Sequence, residues 1–598
     1  MKKIKLLVIG SPSLDKIHIK GKVYHSVGGA GMYVAMAAHR AGASVSLFGP
    51  RPAQIPDILQ TFAGNLEAWM GPTIPLEHMP RFVIQQVGDK ATYLSSALGA
   101  ESYLDFSSLP SDLSDFGAVH ITAMGDSEVQ NAYFDCCRER GAQIISMGTW
   151  LESIKTRPVL TRELVNQARY CFMNEEEAIA LFGSLGEVSG AAHQVLYITR
   201  AEKGAMAVLG QYQAHIPARQ VPLKDPTGAG ESFCGATLAN ILQGVHPVMA
   251  GMRGAVLAAE KVADMGALAL MRPDPPPEIK LDQRVEIDHD QVKKVSNIIK
   301  ELPSADPFDF ISDYLPPAGH PKALDYFFAT TLQQFSFWEE SENRYQRPLI
   351  AIIDGNELKG STYLYYAYKR ALDRDPEIFK PERQAKMSAA EMADIFRADD
   401  GSVQMPALKL HLAQANQYGQ DMIELGLTPH HIIDQVMESD KPLMALLKIL
   451  DHIGGYKEDP IRKKSNLLAL SLSQRPEKFL TYGEAETVAP VVDYHCMRSV
   501  LRIGLVEVVD QDLELKLANR EVLSADEEWA VRFAAYQIQQ RVEEHSGKPI
   551  GAVDWFFFNY MRSHCPEMTD PICEECALDP VCYKRKELFQ PILRTTFY

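Results

Sequence analysis

The sequence lacks the features of a membrane protein. No run of about eighteen uninterrupted apolar residues, the minimum for a transmembrane helix, occurs in the chain. The N-terminal stretch MKKIKLLVIGSPSLD has lysines followed by a short apolar segment that breaks at Gly10 and Pro12, which is typical of a first β-strand and not of a signal peptide. We therefore expect a cytoplasmic protein that has no membrane partner.

Long runs of lysine and arginine are missing as well. The chain has 60 Lys and Arg residues against 77 Asp and Glu residues, a formal net charge of -17, so on average it repels phosphate backbones. Nucleic acid is therefore not an expected partner. Internal repeats and low-complexity tracts are also absent, apart from one proline-rich segment. A chain of 598 residues with 46% hydrophobic residues predicts two or more folded domains.

Cysteine is sparse except near the C-terminus. Of the nine cysteines, four lie in CPEMTDPICEECALDPVC, with the spacing Cys565-x7-Cys573-x2-Cys576-x5-Cys582. In a reducing compartment such a group more often binds a metal or carries reactive thiols than forms disulfides. Four soft ligands in one loop, at 565–582, suit a tetrahedral zinc ion or a [4Fe–4S] cluster. The x2 and x5 gaps favour the iron–sulfur cluster, and zinc is the alternative.

Two sequence patterns divide the chain. Up to about residue 270, short β-type runs such as IKLLVIG, SVSLFGP and QVLYITR alternate with helical segments, which predicts an α/β fold with a sheet flanked by helices. The Pro-rich and charged stretch that starts at Arg272 marks the exit from this domain, and a helical pattern resumes near Asp290. Beyond about residue 320, apolar residues recur at helical spacing. We predict domains at 1–272 and 321–598, the second mostly α-helical, with a linker at 273–320.

A glycine-rich turn precedes a predicted helix in DPTGAGESFCGA, between Asp225 and Ala236. Small residues at a helix start allow backbone N–H groups and the positive end of the helix dipole to approach a phosphate. The carboxylate of Glu231, in the first turn of that helix, could there take a proton from a substrate hydroxyl. By itself the pattern also fits an ordinary tight turn between two elements.

This segment resembles the second signature of the PfkB (ribokinase-like) family of sugar and nucleoside kinases. Further landmarks follow in family order over residues 1 to 270, in the first strand, in VGGAGMYVAMAAHRAGASVSLFG, in MNEEEAIALFG and in ITRAEKGA. The resemblance implies an ATP- and Mg²⁺-dependent kinase with Glu231 as catalytic base. It implies substrate binding by Asp15, Gly28 and Gly29. It implies nucleotide and magnesium binding by Asn174, Glu177, Thr199, Gly204, Gly228, Ala229 and Gly230.

Two positions depart from the family pattern. Glu231 stands where the family usually has aspartate, and Tyr33 stands where the diglycine turn usually leads to asparagine. Glutamate keeps the acid–base chemistry but carries the carboxylate one methylene further, which costs rate unless the pocket compensates. The alternative to an active kinase is a degenerate kinase fold that only binds a nucleoside.

In the second half, Asp493 lies just before a predicted helix in VVDYHCMRSVLRIGLVEV, and Lys463 and Lys464 open the helical run KKSNLLALSL. A buried carboxylate beside a lysine can break an N-glycosidic bond, because the anion stabilises an oxocarbenium-like sugar or activates its attacker while the cation assists at the base or the nucleophile. An aspartate at this position is also an ordinary helix N-cap.

The segment around Asp493 resembles the catalytic segment of helix-hairpin-helix (DNA-glycosylase-like) enzymes, and the cysteine loop resembles the cluster loop of endonuclease III-type glycosylases. Residues 325–598 as a whole resemble the queuosine salvage family, nucleotide N-glycosidases that release queuine from queuosine 5′-monophosphate. The resemblance implies Asp493 and Lys463 as the catalytic pair, with Lys464 as the substitute. It also suggests base-pocket walls, or plain core, for Phe335, Phe337 and Trp338. The four cysteines are a departure from this family.

The two resemblances together predict a bifunctional salvage enzyme. Its first half would phosphorylate a modified nucleoside, most simply queuosine, and its second half would hydrolyse the 5′-monophosphate to queuine and ribose 5-phosphate. One alternative is a DNA-repair-type glycosylase with a kinase-like appendage, which the net charge and the lack of a Gly-x-Gly hairpin before Asp493 oppose. Another is a glycosidase regulated by a non-catalytic, nucleoside-sensing kinase fold. Small nucleosides or nucleotides are the expected partners, and a homodimer is an option that the sequence leaves open.

Overall fold

The computed structural model describes residues 4–19, 21–87, 90–100, 105–276, 278–303, 308–342 and 344–598. It divides into two compact units, Met1–Ile279 and Lys280–Tyr598. No helix of the described residues is both long enough and apolar enough to cross a membrane.

The first unit is built on parallel β-structure. Its described strands are β1 (Lys5–Ile9), β2 (Ser13–Ile19), β3 (Lys22–Gly28), β4 (Ser44–Phe48), β5 (Arg51–Pro52), β6 (Ala68–Met70), β7 (Thr73–Ile74), β8 (Arg81–Val87), β9 (Lys90–Ala97), β10 (Ala118–Ile121), β11 (Ile145–Gly148), β12 (Tyr170–Asn174), β13 (Val195–Thr199), β14 (Ala205–Leu209) and β15 (Tyr212–Ile216). A nine-stranded sheet has the order β15-β14-β13-β12-β11-β10-β1-β4-β6. All its neighbours are parallel except β13–β14 and β14–β15.

Helices cover both faces of this sheet. They are α1 (Ala30–Arg40), α2 (Asp57–Gly64), α3 (Ser127–Glu139), α4 (Leu151–Thr156), α5 (Pro158–Gln167), α6 (Glu175–Phe182), α7 (Ala229–Leu242) and α8 (Pro247–Val262). Successive side chains of a strand point to opposite faces. Leu6 and Val8 accordingly join the core under α1, α7 and α8, whereas Leu7 and Ile9 join the core under α3 and α5. The predicted α/β class is confirmed for this half.

A smaller sheet stands beside the large one. It has the order β3-β2-β8-β9, with β2 parallel to β8 and the other pairs antiparallel. Strand β2 follows β1 after a short connection, so its residues begin near the carboxyl end of a central parallel strand. Carboxyl ends of parallel strands are where open α/β sheets bind ligands.

The second unit is largely helical, as the apolar spacing predicts. Its helices are α9 (His289–Glu301), α10 (Ala323–Thr331), α11 (Gly360–Arg374), α12 (Pro381–Gln384), α13 (Ala389–Ile395), α14 (Leu408–Glu424), α15 (Pro429–Met437), α16 (Pro442–Leu450), α17 (Lys463–Gln474), α18 (Tyr494–Ile503), α19 (Gln511–Asn519), α20 (Ala525–Ser546), α21 (Ile550–Trp555) and α22 (Met561–His564). Its described strands form three two-stranded pairs, β16 (Val285–Ile287) with β21 (Val506–Val508), β17 (Trp338–Ser341) with β18 (Arg344–Pro348), and β19 (Ile350–Ile353) with β20 (Asn356–Lys359).

The stretch 273–320, predicted as a linker, contains ordered elements of the second unit. Strand β16 pairs antiparallel with β21, from Val285 opposite Val508 to Ile287 opposite Val506. The side chain of Gln291, on α9, donates hydrogen bonds from Nε2 to the carbonyl oxygens of Ile503 (3.1 Å) and Val581 (2.6 Å). The second unit therefore begins at residue 280 and not near residue 320.

Candidate active sites in the two units

In the first unit, α7 begins at the glycine turn. Gly228 is the residue before the helix and has a φ of 75°, and a Cβ atom at this position would lie 2.5 Å from the Tyr33 ring. Among the described residues, apart from its chain neighbours and the nearby backbone of α7, no heavy atom lies within 4 Å of where a Cβ atom on Gly230 would be. Next to it, Glu231 lies in the first turn, and burial raises the pKa of its carboxyl group. Open space thus lies beside helix N–H groups and a carboxyl group, as an anionic substrate and a base require.

A buried ion pair that the sequence analysis did not identify lies at the start of this turn. The ammonium group of Lys261, on α8, is 3.0 Å from Oδ2 of Asp225 and 2.8 Å from its carbonyl oxygen. Both side chains have no exposed surface. The other carboxylate oxygen of Asp225 accepts the N–H of Thr227 at 3.0 Å. The pair therefore fixes the backbone that leads into the glycine turn.

Asp15 lies on β2 with its carboxyl group buried against the diglycine turn. A Cβ atom on Gly28 would fall 1.9 Å from Oδ2 of Asp15, so the close approach requires glycine at this position. Burial, with a smaller contribution from the charge of Asp225, raises the pKa of Asp15 to about 6. Oδ1 of Asp15 has no hydrogen-bond partner among the described residues. Gly29, with a φ of 87°, caps α1.

Asn174 and Glu177 form a capping box at the start of α6. The Asn174 side chain accepts the Glu177 N–H at 2.9 Å, and the Glu177 carboxylate accepts the Asn174 N–H at 2.9 Å. Thr149 donates a further hydrogen bond to Glu177 at 2.9 Å. Thr199 pairs with Asn174 across β12 and β13, and Gly204, with a φ of 86°, closes the turn that follows β13. The predicted nucleotide-side residues thus lie on adjacent elements.

Two pairs of carboxyl groups in the first unit interact electrostatically, Glu231 with Glu177 and Asp225 with Asp15. Burial raises the pKa of Glu177, and the charge of Glu231 raises it further. Burial lowers the pKa of Lys261, whereas Asp225 and Glu231 oppose that shift. Glu231 therefore lies within electrostatic reach of Glu177 and of the Lys261 ammonium, and Asp225 lies within reach of Asp15 and of the same ammonium.

In the second unit, a cavity of about 720 Å³ contains both predicted catalytic groups, Asp493 and Lys463. Its surface is more apolar than polar, and its wall combines aromatic rings with several polar and charged side chains. The lining includes Phe308, Gln334, Phe337, Lys463, Asp493, Tyr494, His495, Glu543, Asp554, Trp555, Phe558, Arg562 and Tyr598. Largely apolar cavities with a few convergent polar groups are typical of small-molecule sites.

Hydrogen bonds fix both the backbone and the side chain of Lys463. Its N–H donates to Oδ2 of Asp459 at 2.8 Å, which fixes the first turn of α17. Arg532 in turn holds Asp459 through two hydrogen bonds of 2.9 and 2.8 Å in the protein interior. The ammonium group of Lys463 donates to the Gln334 carbonyl oxygen at 3.3 Å. Burial lowers the pKa of Lys463, and Asp493 is the strongest charge that opposes the shift.

Asp493 is both an N-cap and a cavity residue. Its Oδ1 accepts the N–H groups of His495 (2.9 Å) and Cys496 (3.1 Å) at the start of α18, and only 8% of the residue is exposed. Two N–H donors and the positive end of a helix stabilise negative charge on this carboxylate. The cavity therefore has the Asp493 carboxyl group and the Lys463 side chain in one lining.

Asp554 and its neighbours also line the cavity, and the sequence analysis did not identify them. Burial raises the pKa of Asp554 well above its ordinary value, and Asp493 adds to the shift. The Trp555 ring is stacked with Phe308 at a centroid distance of 6.0 Å and an angle of 10°. Phe558 lies 6.0 Å from Trp555. These rings form an apolar wall in which Phe308 and Trp555 are nearly parallel and Phe558 is tilted by 41° from Trp555.

The other predicted residues of this half lie in different places. Phe337 lines the cavity, whereas Phe335 stacks on His411 at 4.2 Å and Trp338 packs with Tyr345 and Phe589 in a separate core cluster. The ammonium group of Lys464 donates to the Leu332 carbonyl oxygen at 2.8 Å, outside the cavity lining. Burial lowers its pKa to about 7. The structure therefore brings Lys463, and not Lys464, to Asp493.

The four terminal cysteines are half-buried and unbridged. Burial raises the pKa of Cys582, and the charges of Cys565, Cys576 and Cys573 raise it further, so the four thiols lie within electrostatic reach of one another. Among the described residues, no group of three or more His, Cys, Asp or Glu side chains has the arrangement of metal ligands.

The cysteine loop rests on the end of α18. Arg502 donates from Nη1 to Sγ of Cys565 at 3.4 Å and to the Pro566 carbonyl oxygen at 2.9 Å. The Tyr583 N–H donates to the Ile503 carbonyl oxygen at 3.2 Å. Helix α18 therefore has Asp493 as its N-cap and supports the cysteine loop at its C-terminal end.

Comparison with known families assigns both halves. Residues 82–274 match the family described as pfkB family carbohydrate kinase, and residues 315–575 match the family described as Queuosine salvage protein. The resemblances inferred from the motifs are thus confirmed. Asp15, Gly28 and Gly29 precede the first match, and Cys576 and Cys582 follow the second.

Two curated relatives correspond to the same halves. A cytidine kinase of Thermococcus kodakarensis is 27% identical over 252 residues, which are 40% of this chain and 90% of the relative. A queuosine 5′-phosphate N-glycosylase/hydrolase of Mus musculus is 21% identical over 315 residues, which are 48% of this chain and 90% of the relative.

Solved structures match the first half. A probable sugar kinase from Rhizobium etli is 19% identical, with a TM-score of 0.40, and the match covers 44% of this chain and 95% of that one. A nucleoside kinase from Burkholderia thailandensis in complex with inosine is 19% identical, with a TM-score of 0.37, over 44% of this chain and 92% of that one.

Proposed function

Because this chain carries a pfkB family carbohydrate kinase domain and a queuosine salvage domain, and is therefore an enzyme with a kinase and a glycosidase half, we propose that it salvages a modified base in two steps. The first half phosphorylates the 5′-hydroxyl of a nucleoside, most simply queuosine, with ATP. The second half hydrolyses the resulting 5′-monophosphate to queuine and ribose 5-phosphate. The observation that carries the proposal is the cavity that holds Asp493 and Lys463 together, on the same chain as a phosphate-type turn.

In the kinase step, Asp15 accepts a hydrogen bond from a ribose hydroxyl and Glu231 takes the proton of the attacking 5′-hydroxyl. The buried Oδ1 of Asp15 that lacks a partner among the described residues supports the first role. The raised pKa of Glu231 supports the second, because a base with a pKa closer to neutral accepts a proton more readily. The open space at Gly230 leaves room for phosphate beside the start of α7.

Nucleotide and metal binding are proposed for the residues next to this turn. Thr199, Gly204, Gly228 and Ala229 would bind the nucleotide, and Asn174 and Glu177 would organise Mg²⁺ at its phosphates. The oxygen-rich donor set around Glu177 and Glu231 fits this hard cation. When bound, Mg²⁺ neutralises charge on the transferred phosphoryl group.

In the glycosidase step, Asp493 stabilises positive charge that develops on the ribose as its bond to the base breaks. Lys463 attracts the attacking water or the departing electron pair. Both groups face one cavity, whose low polarity strengthens their electrostatic effect. Phe337, with Phe308 and Trp555, would stack on the base, and Lys464 supports the fold from outside the cavity lining.

The order of the two steps can be tested by mass spectrometry with purified full-length protein. Queuosine with ATP and Mg²⁺ should yield queuine, and omission of ATP should abolish release. Asp493→Asn should accumulate the 5′-monophosphate. Glu231→Gln should block release from queuosine but not from queuosine 5′-monophosphate, so each variant serves as the control for the other.

Three results would contradict the proposal. Release that is equally fast without ATP would show that the phosphate is not required. Unchanged release from queuosine by Glu231→Gln would favour a nucleoside-sensing first half. Tight, salt-sensitive binding of duplex DNA would favour the repair-type alternative.

We also propose that Cys565, Cys573, Cys576 and Cys582 bind one [4Fe–4S] cluster that fastens the terminal loop to α18. The mutual electrostatic reach of the thiols supports this role, as does the softness of the donor set. Anaerobically purified protein should contain iron and show broad visible absorption, both lost in Cys573→Ser and kept in Cys136→Ser. Zinc in place of iron, or no metal, would refute the cluster.

A further inference from the structure

A second acidic side chain faces the cavity of Asp493 and Lys463. Asp554 lies near the end of α21, next to Trp555 in the aromatic wall. A backbone hydrogen bond from Val491 holds its carboxyl group near the start of α18. Its Oδ1 is 4.0 Å from Sγ of Cys496, whose N–H is bound to Asp493. The two aspartates therefore approach the same space from different elements.

The two carboxyl groups differ in their surroundings. Asp493 accepts two backbone N–H groups at a helix start, which stabilise its anion. Asp554 is half-buried beside Asp493. Loss of solvation and the charge of Asp493 raise its pKa, and the charge of Lys463 opposes the rise. Asp554 thus keeps its proton to a higher pH than an exposed aspartic acid. Two carboxyl groups whose environments differ in this way can perform opposite acid–base roles.

The chemistry of the cleavage requires an acid on the side of the base. When the bond between C1′ and the base nitrogen breaks, its electron pair leaves with the base and needs a proton. Asp554 is adjacent in sequence to Trp555, so one segment supplies both the acid and a ring on which a base can stack. Asp493 and Lys463 lie on the other elements of the cavity, where they would face the sugar.

We propose that Asp554 is the general acid that protonates the departing base. As the bond between C1′ and the base nitrogen breaks, the base keeps the electron pair and takes the proton of Asp554. The oxygen of a water molecule bonds to C1′, and the proton released from that water passes to Asp493. Exchange of protons with solvent then restores both carboxyl groups. The products are ribose 5-phosphate and the neutral base. This inference rests on the proposed glycosidase function.

Comparing two leaving groups tests the acid directly. Full-length Asp554→Asn is assayed on queuosine 5′-monophosphate and on 4-nitrophenyl ribofuranoside 5-phosphate, whose nitrophenolate departs without a proton. On the nucleotide, kcat should fall by about 100- to 10,000-fold with little change in KM. On the nitrophenyl substrate, kcat should stay within a few-fold of wild type. Glu543→Gln, which changes another acid of the same cavity wall, should not discriminate between the substrates.

The wild-type pH profile provides a second test that does not depend on a variant. For the nucleotide, kcat should fall as the pH rises through the pKa of Asp554, because the acid loses its proton. Lys463 also loses charge on the alkaline side, and His495, Glu543 and Arg562 share the cavity. The nitrophenyl substrate distinguishes Asp554 from these groups. Titration of the other groups should affect kcat for both substrates, whereas loss of the Asp554 proton should lower kcat only for the nucleotide.

Several outcomes would overturn the inference. If Asp554→Asn lost kcat equally on both substrates, Asp554 would stabilise charge on the sugar or support the fold, and it would not be the acid. A raised KM with unchanged kcat would make it a base-recognition residue, and identical alkaline limbs for the two wild-type profiles would exclude an acid. If wild-type protein cleaved neither substrate, the proposed glycosidase function would fail and this inference with it.

Discussion

Two glycines at the start of α7 have different physical reasons to be glycine. Gly228 has a positive φ and contacts the Tyr33 ring, whereas the missing Cβ of Gly230 leaves open space. Gly228→Ala should therefore lower the free energy of unfolding of the first unit by about 1–2 kcal/mol from the left-handed backbone alone. Gly230→Ala should leave stability within about 1 kcal/mol of wild type and raise the KM for ATP.

Urea unfolding and initial-rate kinetics on the two variants check this prediction. Each variant is the control for the other, because both add a single methyl group to the same turn. Equal losses of stability would contradict the geometry described for Tyr33. An unchanged KM for ATP in a folded Gly230→Ala variant would remove the turn from the nucleotide site.

Lys464 should make stability depend on pH. Burial lowers its pKa from 10.5 to about 7, so between these values the unfolded chain binds a proton that the folded chain does not. Stability from this group therefore rises as the pH rises through that window. Lys464→Met removes this pH dependence of stability. The increase in its free energy of unfolding over that of wild type should be larger at pH 7 than at pH 9.5.

Urea midpoints at the two pH values measure this effect. Lys464→Met also loses the hydrogen bond to Leu332, which changes the free energy of unfolding equally at the two pH values. Only the change in the variant's stability relative to wild type between the two pH values therefore reports on the pKa of Lys464. Lys409→Met, which replaces an exposed lysine on α14, is the control and should show no such difference. If Lys464→Met and wild type differed in free energy of unfolding by the same amount at both pH values, the burial of this ammonium group would be contradicted.

Some residues of the candidate sites could be predicted from local sequence patterns, and others could not. Asp493 and Lys463 could be predicted because each opens a helix with a recognisable pattern, and the fold brings both to one cavity. Asp554 had no such signal, because an aspartate within an aromatic helical stretch resembles an ordinary core segment. The Asp225–Lys261 pair was missed because only the packing of α8 against α7 brings its two members together.

At the scale of elements, the C-terminal segment 594–598 supports one wall of the cavity. Arg594 donates to Oγ of Ser336 at 2.5 Å and to the Trp338 carbonyl oxygen at 3.0 Å, and the Tyr598 side chain reaches the cavity. Arg594→Ala should lower the stability of the second unit by about 1–3 kcal/mol and raise the KM for the nucleotide. The kinase rate should not change.

Thermal unfolding and separate assays of the two steps check this expectation. Arg594→Lys keeps the charge but not the paired donors, so it should recover only part of the loss. An Arg594→Ala variant with wild-type glycosidase kinetics would show that the segment does not shape the cavity.

Elements differ in how well the sequence predicted them. The central strands were predictable because parallel strands buried on both faces have continuous apolar runs, as KLLVI in β1 illustrates. Helix α9 was also predictable, near Asp290. Its membership of the second unit was not, because the contacts of Gln291 with Ile503 and Val581 come from segments distant in sequence.

At the scale of the whole molecule, the two compact units predict two separable activities. A fragment 280–598 should fold and cleave queuosine 5′-monophosphate without ATP, and a fragment 1–279 should phosphorylate queuosine. A fragment 321–598 should be far less stable, because it lacks β16 and α9, which pair with β21 and support α18.

Circular dichroism melts and product analysis of the three fragments test this division. The shorter fragment 321–598 is the matched control for 280–598. Equal stability of the two would show that residues 280–320 do not belong to the second unit. An inactive but folded 280–598 would show that cleavage depends on the first half.

The pairing of β16 with β21 has a consequence for biosynthesis. The hydrogen bond from Gln291 to Val581 joins residues that are 290 positions apart, so the nascent second half stays incomplete until nearly all of it has left the ribosome. The first half, whose contacts close within its own span, can fold while translation continues. During synthesis, chaperones should therefore bind mainly to the second half. Its β16 and α9 are made early, but the segments with which they pair are made late.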